Sequence, residues 1–75
     1  MVCGINLEAT GKRINDLRKE KNLTVADIQN HFGFSTPQSV YKWMQGKACP
    51  SIDNLVILAD LYQCKVDDML VCEQF

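Results

Sequence analysis

Long apolar runs are missing from this chain of 75 residues, and no stretch approaches the roughly 20 consecutive apolar residues that a bilayer-spanning helix requires. The N-terminus also lacks a basic segment followed by an apolar one, so neither a membrane span nor a secretory leader is expected. There is a single histidine, His31, and the four cysteines, Cys3, Cys49, Cys64 and Cys72, are widely spaced with no C-x-x-C pair. Metal binding is therefore not expected. The cysteines read as free, reduced thiols of a cytoplasmic protein, with Cys64 as a small core residue. The absence of a phosphate-cradling glycine loop and of a histidine-based nucleophile pair argues against catalysis and leaves no cofactor to expect. Repeats, low-complexity tracts and strand-like alternation are absent as well.

What is present suits one domain with one core: 47% of the residues are apolar and 23% charged. The net charge of −1 conceals an uneven distribution. Residues 1–47 hold seven Lys or Arg against four Asp or Glu, a balance of +3, whereas residues 48–75 hold one against five, a balance of −4. A basic front and an acidic back would orient the molecule on a polyanion, while the small total predicts modest non-specific affinity.

Residues 1–9 carry Ile5 and Leu7 without a clear period and read as a lead-in. A first helix is predicted from Thr10, with Thr10 as its cap, Ile14 and Leu17 facing inward, Lys12, Arg13, Asp16, Lys19 and Glu20 wet, and Asn22 as its stop. Thr24 with Asp27 forms a capping box with a shortened acid, opening a second helix in which Ile28 and Phe32 are four apart. Gly33 ends it, because glycine takes the left-handed conformation without a Cβ penalty. Thr36 then Pro37 reads as N-cap and first position of a third helix, which Gly46 closes. After Pro50, Ser51 caps a fourth helix with Leu55, Leu58, Ala59 and Tyr62 at helical spacing. A short fifth is predicted over 66–71, with Asp67 and Asp68 in its first turn and Met69 and Leu70 packing. The expected class is all-α, a compact five-helix bundle over residues 10–71 followed by a short tail at 72–75.

The third helix carries the functional signal. Val40, Trp43 and Met44 are three and four residues apart, so at about 100° per residue they make one inward stripe and turn Gln38, Lys42 and Gln45 outward. Trp43 is thus read as core rather than as a stacking platform. An amide, a cation and a second amide on a short anchored helix suit base edges and phosphates in a major groove, which makes double-stranded DNA the expected partner. The same outer face also suits packing on another protein, although such faces more often show aromatics or leucines; Tyr41 serves either role. His31 reads as a solvent-facing helix residue. The cations of the first helix are either solvated or follow a phosphate backbone, Arg13 being the best placed of them.

With these residues placed, the chain resembles the Cro/C1-type (XRE-like) helix-turn-helix family over residues 10–71. The matching elements are GKRINDLRKEKNLT, the Gly33 turn, VYKW at 40–43, GK at 46–47, PSIDNL at 50–55 and the closing VDDML. The resemblance implies a lambda-repressor-like DNA-binding domain whose third helix enters the major groove. Carried over by position, it implies base reading at Gln38, Ser39 and Lys42, with Tyr41 beside them, and a backbone grip at Thr24, Val25 and Lys47; Thr36, Gln45, Arg13 and Arg18 are added as phosphate contacts. Gln38 would pair with adenine and Lys42 would donate to guanine, each good pair giving about 1–3 kcal/mol of discrimination.

Some positions depart from the family pattern. Val25 stands where many members carry a DNA-contacting glutamine. Met44 replaces a frequent glutamate that pairs with the arginine matching Arg18, which would free Arg18 for phosphate. The turn between Gly33 and Gly46 is one residue longer than the commonest pattern, and Gln63 and Lys65 replace the usual glycine and serine. The resulting expectation is a small transcriptional regulator, a repressor that occupies an operator. A homodimer through the apolar C-terminal residues Met69, Leu70, Val71, Cys72 and Phe75 is expected to read two half-sites about 34 Å apart. The alternative is an antitoxin-like or adaptor module that keeps the fold and binds a protein partner.

Overall fold

The computed structural model describes residues 3–74, and among them the order is β1 (Cys3–Ile5), α1 (Leu7–Glu20), α2 (Val25–Phe32), α3 (Gln38–Met44), α4 (Ile52–Tyr62), α5 (Val66–Met69) and β2 (Cys72–Gln74). The five helices and their order agree with the sequence reading; the two short strands are an addition to it.

The start of α1 differs from expectation. Its cap is Asn6, whose side-chain oxygen accepts the Ala9 N–H at 2.9 Å. Thr10 lies inside the helix and is only 2% exposed. Its hydroxyl accepts the Val71 N–H at 3.0 Å and donates toward the Val71 carbonyl at 3.4 Å, so this buried polar group is satisfied by the far end of the chain. The Asn6 N–H also reaches the Val71 carbonyl at 2.8 Å, and the Asn6 amide donates to Glu73 at 2.7 Å. Residues 3–9 are therefore part of the domain rather than a lead-in, and 72–74 are not a free tail. There β1 pairs antiparallel with β2, with Cys3 opposite Gln74, Gly4 opposite Glu73 and Ile5 opposite Cys72. Strands of three residues carry no readable period, which is why sequence patterning missed them.

The middle of the chain follows its local signals more closely. Thr24 and Asp27 form the reciprocal cap of α2, with bonds of 3.0 and 2.8 Å. Gly33 ends α2 at φ +73°. Ser51 caps α4 by accepting the Asn54 N–H at 3.3 Å. At α3 the cap position is Pro37 rather than Thr36, and no side chain bonds there. α5 stops at Met69 rather than Val71, because Leu70 is already extended and delivers Val71 to Thr10.

The core is built from every helix. Ile14, Ile28, Val40, Trp43, Leu55, Leu58, Ala59, Tyr62 and Met69 are buried together, with Leu17, Phe32, Phe34 and Met44 packed at its edge. Tyr62 ties α4 to α1 by donating its hydroxyl to the Ile14 carbonyl at 3.1 Å, and burial pushes that phenol above its ordinary range. Cys64 is half-buried at the margin of the core, and burial, followed by the nearby Asp68 carboxylate, pushes its thiol up. Met69 is completely buried, so it is withdrawn from the C-terminal apolar patch expected at a dimer contact, and Phe75 lies outside the described residues.

Candidate nucleic-acid interface

Seven residues of α3 divide into two faces. Val40 and Trp43 are buried at 0% and 5% exposure, which anchors the helix, while Gln38, Ser39, Tyr41 and Lys42 are all exposed. Tyr41 keeps 45% of its surface in solvent. Thr36 before the helix, and Gln45 and Lys47 after it, are exposed too, so the outward row runs past both ends of α3. No Asp or Glu occurs between Asp27 and Asp53, so Lys42 and Lys47 lie in a segment free of carboxylates. Two lysines beside amide and hydroxyl groups can meet phosphate oxygens and base edges together.

The packing behind α3 is close. A Cβ at Gly11 of α1 would fall 2.9 Å from the Met44 carbonyl and nearer still to that of Trp43, so only glycine lets the two backbones meet. Phe32 and Phe34 complete this rear wall, with ring centroids 5.4 and 5.9 Å from Trp43 in edge-on geometry.

The start of α2 brings Thr24 and Val25 into the same helix-turn-helix unit. Thr24 is exposed, and its oxygen accepts the Asp27 N–H. Val25 is half-buried and packs its side chain on the core, leaving only its backbone to offer a polar contact. The Thr24 backbone N–H, then its hydroxyl, hold the Asp27 carboxyl below its ordinary value of 3.8.

The two arginines are placed differently from the outward row. Arg18 is not set free by Met44: its Nε and Nη2 donate to Asn15 at 3.1 and 3.0 Å, and its Nη1 donates to the Leu23 carbonyl at 2.8 Å. Arg13 donates from Nε to the Asp68 carbonyl at α5. At about 100° per residue, Arg13 lies roughly 200° around α1 from Gly11, the point that touches α3. It shares a groove of about 440 Å³ with Ala9, Lys12, Asp16, Leu17, Glu20 and Val71. Thr36, Gln45 and Lys47 lie exposed beside α3 along the chain, Thr24 lies exposed at the start of α2, and Arg13 turns to α5 instead. Sequence reasoning missed Gly11, Asn15 and Gln29, which fix the helices behind this surface. The first helical glycine in an otherwise good helix was the only available signal.

Three solved structures share this fold. The restriction-modification controller protein C.AhdI from Aeromonas hydrophila superposes with a TM-score of 0.75 at 22% identity, covering 84% of this chain and 94% of that one. The DNA-binding domain of BldD gives 0.74 at 18% identity, with 88% and 94% covered. The S. venezulae BldD DNA-binding domain gives 0.74 at 18%, with 88% and 97% covered. Among curated proteins, none matches the chain. Matched to the helix-turn-helix family over residues 14–69, most of its length, the chain belongs to the Cro/C1-type helix-turn-helix family of DNA-binding transcription regulators.

Proposed function

We propose that this protein is a sequence-specific repressor that occupies an operator in the cytoplasm, with α3 lying in the major groove. The observation that carries this reading is the polar, carboxylate-free outer row of α3 on a helix whose other face is buried. Gln38 and Lys42 read bases, with Ser39 and Tyr41 beside them; Thr24, the Val25 backbone, Thr36, Gln45 and Lys47 hold phosphates and set the register. Arg18 and Arg13 are left out of this assignment because both are engaged within the domain.

The test is fluorescence anisotropy with the DNA upstream of the gene and a scrambled duplex, across a salt series. The wild type should prefer the upstream DNA, with log affinity falling linearly against log salt, and Gln38→Ala with Lys42→Ala should abolish the preference. Weak binding indifferent to these substitutions moves the assignment to a protein-binding module. We also propose a two-fold homodimer on a two-half-site operator. Sedimentation equilibrium that shows only monomer, both free and on such DNA, overturns it.

A further inference from the structure

All four longer helices end in the same backbone turn. A left-handed residue follows each helix (Asn22 at φ 57°, Gly33 at 73°, Gly46 at 74° and Gln63 at 56°). The next N–H then reaches back five residues, from Leu23 to the Arg18 carbonyl at 3.0 Å, Phe34 to Gln29 at 3.1 Å, Lys47 to Lys42 at 3.0 Å and Cys64 to Ala59 at 3.0 Å. In two of the four, the residue that supplies this carbonyl also returns a side-chain donor to the carbonyl five residues on. Arg18 does so to Leu23 at 2.8 Å, and Gln29 does so to Phe34 at 3.2 Å. These two closed rings bracket α2.

The second ring matters more, because α3 has no side-chain cap of its own. Its direction relative to α2 depends on the segment from Gly33 to Pro37. Gly33 is not wedged in place, since a Cβ there would meet nothing within 4 Å. Phe34 is what fixes the segment. Its ring stacks on Phe32 at 5.1 Å and meets Trp43 edge-on, while its carbonyl is held by the half-buried Gln29 amide. The connection runs from Gln29 through Phe34 to Trp43, the buried anchor of α3.

We propose that Gln29 is a positioning residue that sets the aim of α3, and with it the base specificity of the protein, without touching DNA. The consequence for specificity rests on the DNA-reading function proposed above. Gln29→Met is the informative substitution, being neutral and of similar length but without a donor. It should lower the preference for upstream over scrambled DNA by about tenfold, the scale of one hydrogen bond, while the affinity for scrambled DNA and its salt slope stay unchanged. Residual dipolar couplings of the free protein should show α3 reoriented or loosened against α2, with α4 unchanged. If the wild type itself shows no DNA preference yet the couplings of Gln29→Met change at α3, the DNA-reading function fails and the positioning role stands. Unchanged couplings with an unchanged preference overturn the proposal. So does a salt slope reduced by about one, which marks a lost phosphate contact.

Discussion

α2 and α3 are near equals in length, eight residues against seven, yet they are held in opposite ways. α2 carries its own restraints: a reciprocal cap at its start, a left-handed glycine at its end and a side-chain ring across each adjoining turn. α3 has no cap bond, and is fixed by burying Val40 and Trp43 and by lying against the backbone of α1 at Gly11. Helices this short are marginal alone, so each needs help, and the source of the help differs. A helix held by local bonds can be weakened at one end. A helix held by packing shifts as a body.

The glycines that end the two helices give the largest expected difference. Gly33 and Gly46 have nearly the same φ, 73° and 74°, so alanine carries a similar left-handed cost of about 1–2 kcal/mol at both. Around Gly33 the space is open, whereas a Cβ on Gly46 would lie 2.7 Å from the Glu8 Cα and 3.0 Å from its nitrogen. Gly46→Ala should therefore cost about 1–3 kcal/mol more than Gly33→Ala in urea melts, because backbone cannot move aside as a side chain does. Equal losses would mean that the contact between the end of α3 and the start of α1 carries no weight.

Removing the local restraint of α2 should do less. Thr24→Ala is expected to cost about 1 kcal/mol, with amide exchange speeding up in the first turn of α2 and staying unchanged in α3. Faster exchange spreading into α3 would show that the two helices are not independently held.

The smallest effect is that of acid. Because the folded Asp27 carboxyl titrates below its ordinary value of 3.8, its stabilisation is fully present above about pH 4 and is lost as the pH falls through the lower folded value. Carbon-detected titration should place its midpoint below 3.8 in the wild type, and Thr24→Ala should move it back up. An unshifted wild-type midpoint would remove the capping box as a contributor in solution.

This contrast also explains what could be read from the chain. The start of α2, the start of α4 and the stop at Gly33 are written in residues three or four positions apart, so Thr24 with Asp27, Ser51 and Gly33 could be identified directly. The outer row of α3 was equally legible, since Val40 and Trp43 fix the phase of the helix. Thr10 was misread because Thr is a good cap anywhere, and its partner, Val71, is 61 residues away. Arg18 was assigned to phosphate although Asn15 lies three residues back on the same helix, because its other partner, the Leu23 carbonyl, becomes visible only once the turn is closed.

The sequence by itself determined the helical class, the order of the five helices, the phase of α3 and the family, because periodicity and capping are short-range properties of the chain. The tertiary structure alone decided that the two ends pair as β1 and β2, that Thr10 joins them and that Arg13 turns toward α5. Each of these depends on groups brought together by burial or chain closure, and such contacts leave no periodic trace in the residues that make them.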